Sequence, residues 1–362
     1  MAKLFSNDKI KDKAIMAYAC FDTREDVDMK MSELKSLIKA NDIEVLGSLV
    51  QNAKTPDLSF LMGKGKVEEL KQMIQDLNAT LVVFQNELSG SKISNLEEFL
   101  QVKVIDRTML ILDIFAQRAK TSEGKLQVEL AQLKYSLPRI ASLNRSAGHF
   151  GNSGVGMRGP GETKLELDRR KIEKQIYDKQ KELLKLKEER NTRRKQRIET
   201  RQKTVALVGY TNSGKSTLMN TISKSDVFIK DMLFATLDTT TRKVFLNSNH
   251  TILITDTVGF VSDLNHELVD AFSATLEESV FADLIIHVVD ISDPEYDKKE
   301  KITLDVLDKL GAKKENIITV YNKMDKIHIV KDGALLISAK NNINIDKLKE
   351  KIIDFFDKKE SL

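Results

Sequence analysis

The chain has 362 residues, of which 41% are hydrophobic and 31% charged, and its formal net charge is +4. That length is more than one ordinary core serves and suggests two or three domains. No apolar run approaches the roughly 20 residues of a membrane-spanning helix, no signal-peptide core opens the chain, and the single cysteine, Cys20, excludes an internal disulfide. A cytoplasmic protein, monomeric by default, is expected, with peripheral membrane association left open.

Residues 10–105 alternate short β-branched runs with amphipathic spacing. Strands are expected at 14–20, 43–50, 80–84 and 102–105, and helices at 27–40, 66–77 and 93–100. That order describes a small α/β subdomain with a mostly parallel sheet. Cys20 ends an apolar run and reads as a buried strand residue.

Residues 106–202 change character. Leu126, Leu130, Leu133, Leu137 and Ile140 recur at alternating spacings of four and three, the seam of a paired helix. Pro138 falls inside the pattern and predicts a kink or an early end. A second run carries Leu165, Ile172, Ile176, Leu183 and Leu186, interrupted by Arg169, Lys179 and Arg190. Two such arms make a long antiparallel helical hairpin, or coiled coil, each arm spanning roughly 45–60 Å at 1.5 Å per residue. Residues 164–203 hold 16 Lys and Arg against 8 Asp and Glu, so the basic excess sits on the second arm. The tip, 147–161, contains six glycines, at 148, 151, 154, 156, 159 and 161. A flexible connection is one reading. The other is a tip that enters a tight site, with His149, Phe150 and Arg158 meeting RNA.

Residues 203–362 alternate strand and helix again, with strands expected at 204–208, 251–255, 284–289, 317–321 and 334–337 and a closing helix at 345–356. This is a doubly wound, mostly parallel α/β pattern. The run Gly209, Tyr210, Thr211, Asn212, Ser213, Gly214, Lys215, Ser216 matches GxxxxGK[ST] between an expected strand and a helix at 216–222 that takes in Thr217, the context a phosphate-binding loop requires. Glycines let backbone N–H groups curl around phosphates, and the helix N-terminus adds positive potential. Lys215 is expected on the β- and γ-phosphates and Ser216 on Mg²⁺. Asp256, Thr257, Val258 and Gly259 fit DxxG, with Asp256 on the metal and the Gly259 N–H on the γ-phosphate. Asn322, Lys323, Met324 and Asp325 fit NKxD, where the Asp325 carboxylate accepts two hydrogen bonds that guanine, and not adenine, can donate. Ser338, Ala339 and Lys340 bring a backbone N–H to the guanine carbonyl. Four motifs in this order, each ending an expected strand, specify a site for GTP.

Between the phosphate loop and Asp256, the stretch beginning Phe234, Ala235, Thr236 supplies the switch threonine expected on the metal and at the attacking water. Thr236 is the choice, for its resemblance to the phenylalanine–threonine pattern of related GTPases, and Thr239 to Thr241 are the alternatives. Phe260 follows Gly259 where many GTPases place a glutamine that orients the water, so slow intrinsic hydrolysis is expected. Asn212 is the position at which potassium-stimulated GTPases hold K⁺, which makes K⁺ a candidate cofactor beside the reading of a loop-capping asparagine.

With these residues placed, the chain closely resembles the HflX family of ribosome-associated GTPases from about residue 14 to residue 356. The distinguishing stretches are GKGKVEEL at 63–70, DRTMLILDIFAQRA at 106–119, LAQLKYSLPR at 130–139, GPGETKLELD at 159–168 and FATLD at 234–238. The resemblance implies three parts: an N-terminal α/β subdomain at 10–105, the hairpin at 106–202 and the GTPase domain at 203–362. It also implies binding to the large ribosomal subunit, splitting of stalled ribosomes in stress, and a hairpin tip that reaches rRNA near the peptidyl transferase centre. Thr239 stands where the family usually has proline after Leu-Asp, and any C-terminal extension is expected to be absent or short. The resemblance also raises a second nucleotide site around 63–66, where a glycine- and lysine-rich turn lacks a Walker pattern.

Overall fold

The computed structural model describes residues 12–22, 24–147, 160–199, 202–223, 240–248, 250–260, 280–327, 331 and 333–360. The tip residues 148–159, and Phe234, Ala235, Thr236 and Thr239 of the switch, lie outside the described residues. The chain divides into two compact units, one made of Met1–Ala116 with Glu129–Lys179, the other of Gln117–Val128 with Gln180–Leu362.

The first unit is built on a four-stranded parallel sheet in the order β2-β1-β3-β4, from β1 (Lys13–Cys20), β2 (Glu44–Asn52), β3 (Leu81–Phe84) and β4 (Lys103–Asp106). β1 and β3 are buried on both faces and therefore read as unbroken apolar runs rather than alternating ones. One face packs Ile15, Ala17, Val82 and Phe84 against Val67, Leu70 and Ile74 of α2 (Lys64–Leu77) and Leu96 of α3 (Gly90–Leu100). α1 (Val27–Ala40) begins at Asp26, whose side chain accepts a bond from Met29 N, and buries Leu34, Leu37 and Ile38. α4 (Arg107–Arg118) is tied to α1 by the buried Arg107–Glu33 ion pair at 3.2 Å and by Asn41 Nδ2 donating to Leu110 O at 3.1 Å.

Pro138 does not end its helix: α5 runs Ser122–Ala147 without a break. Proline withholds one backbone N–H and crowds the preceding turn, which frees carbonyls there. Arg139 answers this locally, since its Nη1 donates to Tyr135 O at 2.7 Å. Its Nη2 reaches the fully buried Asp106 at 2.7 Å, and Tyr135 Oη donates to the same carboxylate at 2.6 Å. Asp106 also accepts from Leu88 N and Met109 N. Along α6 (Pro160–Glu199), Ile172, Ile176, Leu183 and Leu186 of the expected seam are half-covered, as is Lys179, which was expected to interrupt it. Lys179 pairs with Glu129 of α5.

The second unit contains a six-stranded sheet in the order β10-β9-β8-β5-β7-β6, parallel except for β6 at one edge. Its strands are β5 (Lys203–Val208), β6 (Thr240–Phe245), β7 (Thr251–Asp256), β8 (Leu284–Asp290), β9 (Ile317–Asn322) and β10 (Leu335–Leu336). α7 (Lys215–Ser223) and the helix α9 (Ile345–Glu360) cover one face through Leu218, Met219, Ile222, Leu348, Ile352 and Phe356. On the other, Tyr296 of α8 (Tyr296–Lys309) packs against Val289 and Tyr321. Helices on both faces leave the carboxyl ends of the parallel strands as the open edge. No helix among the described residues is long and apolar enough to cross a membrane.

Candidate nucleotide site

The loop between β5 and α7 is a cradle that tolerates only glycine at two points, and the DxxG turn after β7 adds a third. A Cβ on Gly209 would lie 2.2 Å from Val288 O, and one on Gly214, whose φ is +92°, would lie 2.2 Å from Asn322 Nδ2. A Cβ on Gly259 would meet Thr211 Cα at 2.8 Å and Lys215 Nζ at 3.0 Å, so DxxG lies directly against the phosphate loop. Lys215, at the first turn of α7, is 6% exposed, and its Nζ donates to Gly209 O at 3.0 Å and Tyr210 O at 2.9 Å. Burial pushes its pKa down to about 8; the Asp256 carboxylate opposes that shift and Lys323 adds to it.

Asp256 ends β7 and is 2% exposed, and Ser216 Oγ donates to its Oδ2 at 2.6 Å. Thr257 Oγ1 donates to Leu207 O at 2.7 Å, fixing the start of the DxxG turn, and Val258 is buried behind it. Phe260 is 1% exposed. Its backbone is laced to the phosphate loop, Thr211 N donating to Phe260 O at 2.7 Å and Phe260 N to Gly209 O at 3.1 Å. The residue that cannot orient water is therefore a core plug. Thr211 Oγ1 and Ser213 Oγ are buried with no hydrogen-bond partner among the described residues, as a cradle for an oxygen-rich ligand would leave them. Tyr210 packs its ring 5.2 Å from Lys299 Nζ. Thr217 stands on α7, and Thr221, one turn on, donates to Ala339 O at 2.7 Å.

At the end of β9, Asn322 is the hinge pin. Its Nδ2 donates to Ser213 O and its Oδ1 accepts from Ala339 N, both at 2.9 Å, so one buried amide joins the loop after β5 to the loop after β10. Lys323 Nζ donates to Asn212 O at 2.7 Å. Ser338 Oγ, fully buried, donates to Asp325 Oδ1 at 2.6 Å, while Asp325 and Lys340 are exposed at the rim.

Every motif residue within the described segments thus meets at one sheet edge. Thr240 and Thr241 stand on β6, Thr241 Oγ1 lying 3.0 Å from Thr255 Oγ1. Two neighbours went unnoticed in the sequence. His287, 1% exposed on β8, has its pKa lowered to about 4 by burial and by the nearby Lys215 ammonium. Asp290, which closes the same strand, pairs with Lys323. The histidine leaves one visible signal, a polar break in the apolar run of β8. Among the described residues no three His, Cys, Asp or Glu side chains cluster as a metal site, and the oxygen pair of Ser216 and Asp256 is what a hard cation would meet here.

Comparison with known proteins agrees with this geometry. Residues 28–116 match the family model of the GTP-binding GTPase N-terminal region, 118–197 that of the GTP-binding GTPase middle region, and 204–323 that of the 50S ribosome-binding GTPase. The chain is 48% identical over 345 residues to the GTPase HflX of Caldanaerobacter subterraneus subsp. tengcongensis, covering 94% of this chain and 80% of that one. With the GTPase HflX of Escherichia coli (strain K12) it shares 40% identity over 321 residues, 87% of this chain and 74% of the relative. A GTP-binding protein of Sulfolobus solfataricus, solved in complex with GDP, shares the fold at a TM-score of 0.52 and 23% identity, covering 95% of this chain and 98% of that one. With a P-loop GTPase core at its nucleotide edge and such relatives over most of its length, the chain belongs to the HflX family of GTPases, enzymes that hydrolyse GTP.

Proposed function

We propose that this GTPase binds the large ribosomal subunit and splits stalled ribosomes, with hydrolysis stimulated by the ribosome. The observation that carries the reading is the buried, water-inert Phe260 beside the phosphate loop. Such a site holds nucleotide and lacks its own water-orienting glutamine, which leaves the water to the Thr236 segment, to a partner, or to a partner acting through that segment. The match of residues 204–323 to the 50S ribosome-binding GTPases and the basic second arm both favour a ribosomal partner. The parts we assign are an α/β subdomain at 10–105, a hairpin at 106–202 whose tip meets rRNA near the peptidyl transferase centre, and a GTPase domain at 203–362.

Within the site, Lys215 and the loop from Gly209 to Thr217 take the phosphates, and Gly259 the γ-phosphate. Asn322, Lys323, Asp325 and the run from Ser338 to Lys340 take the guanine. Ser216 and Asp256, with Thr236, would hold Mg²⁺, which supplies charge neutralisation at the phosphates. Asn212 is the assigned K⁺ contact; equal turnover in KCl and NaCl would remove it.

The ribosomal reading is tested by sedimentation with purified large subunits over a salt series. Replacing Arg193, Arg194, Lys195 and Arg197 by Ala should weaken binding and flatten its salt dependence, because phosphate contacts release counterions. Binding unchanged in strength and slope would refute the arm's contact with RNA.

A further inference from the structure

The ammonium of Lys323 stitches three loops together. Besides Asn212 O on the phosphate loop, it meets Asp290 Oδ2 at the end of β8, at 2.7 Å. The side chains of Lys323 and Asp290 are 17% and 19% exposed, so solvent screens the pair little. Asp290 is itself held: its Oδ1 accepts from Ser292 N at 3.0 Å and from Ser292 Oγ at 2.6 Å, and it lies in register with Asn322 on β9. Lys323 and Asn212 both adopt left-handed backbone, φ 66° and 62°, a conformation asparagine accepts readily and lysine rarely. One ion pair therefore anchors the cation that joins the two residues, one on each side of the nucleotide edge.

We propose that Asp290 is a positioning residue for guanine nucleotide, the counter-ion that holds Lys323 across to the phosphate loop so that base and phosphate subsites keep their spacing. This rests on the assignment of Lys323 to the guanine subsite. Without the carboxylate, the ammonium keeps the neutral Asn212 O as its acceptor among the described residues and loses its ion pair. Asp290 touches no reacting group, so its loss raises KM and leaves kcat in place.

The test is a two-by-two set in the full chain, read as the affinity for a fluorescent GDP analogue. Asp290→Asn keeps an oxygen for Ser292 and removes both the charge and the acceptor that face the ammonium; Lys323→Met keeps the stem and removes the ammonium. We expect roughly tenfold weaker binding for Asp290→Asn, a loss at least as large for Lys323→Met, and a double variant no weaker than Lys323→Met. Losses that multiply in the double variant, or unchanged affinity in Asp290→Asn beside a weakened Lys323→Met, overturn the proposal alone. Unchanged affinity in Lys323→Met overturns the guanine assignment as well. If Asp290→Asn does not fold, Asp290→Glu replaces it: affinity nearer wild type than Lys323→Met supports the pairing, and affinity equal to Lys323→Met contradicts it.

Discussion

Gly214 leaves no room for a side chain beside the buried amide of Asn322. Gly214→Ala carries two separable penalties. The backbone at φ +92° is one an L-residue resists, at about 1–2 kcal/mol. The new methyl would also sit 2.2 Å from Asn322 Nδ2, so the amide must leave and its bond to Ser213 O is lost. A buried polar group left unpaired costs about 1–3 kcal/mol. The total, roughly 2–5 kcal/mol, falls on a loop that must be formed to bind nucleotide, which corresponds to about 30-fold or more in affinity. Asn322→Ala removes the object of the clash. In that background only the backbone strain remains, and Gly214→Ala should cost a further loss of roughly tenfold. The assay is nucleotide titration of the wild type, both single variants and the double. An equal fold-loss from Gly214→Ala in both backgrounds would show that the clash with Asn322 is not the cause.

Three other outcomes follow from the same geometry. His287 is held neutral in the native state, while an unfolded chain binds a proton below its ordinary pKa of 6.5. Stability from this residue is complete above pH 6.5 and is lost as pH falls from there towards 4, by about 3 kcal/mol in all; thermal unfolding of His287→Val across that window should show a shallower fall than wild type, and parallel curves would contradict the assignment. Asp325→Asn should erode the GTP-over-ATP affinity ratio by an order of 10³, and a ratio equal to wild type would refute its base-reading role. Tyr135→Phe takes one bond from the buried Asp106 carboxylate, whose remaining partners include Arg139, and should lower thermal stability by about 1–2 kcal/mol while leaving GTP affinity intact; lost GTP affinity would contradict the placement of this network outside the nucleotide site.

Much of the nucleotide edge was legible because its chemistry is local. A loop that wraps phosphate needs Gly209 and Gly214 at fixed offsets from Lys215, and DxxG and NKxD each end a strand whose apolar run is visible. The helix Val27–Ala40 was likewise legible from its amphipathic spacing. What escaped depends on contacts distant in sequence. β6 is an edge strand whose exposed Thr240, Thr241 and Lys243 do not alternate cleanly, and only its pairing with β7 defines it. Pro138 suggested a break because what holds Arg139 over the preceding turn, where it meets Tyr135 O, is its ion pair with Asp106, 33 positions away. Asp290 carries no motif, since its meaning lies in Lys323, which the fold brings beside it.

The measurement that tests the central claim most directly is GTP turnover by the full chain, with and without purified large ribosomal subunits, in potassium buffer. The account predicts slow turnover alone, strong stimulation by the subunits, and loss of both in Lys215→Ala. Turnover that the subunits leave unchanged, in protein that binds GTP, would contradict a ribosome-activated GTPase.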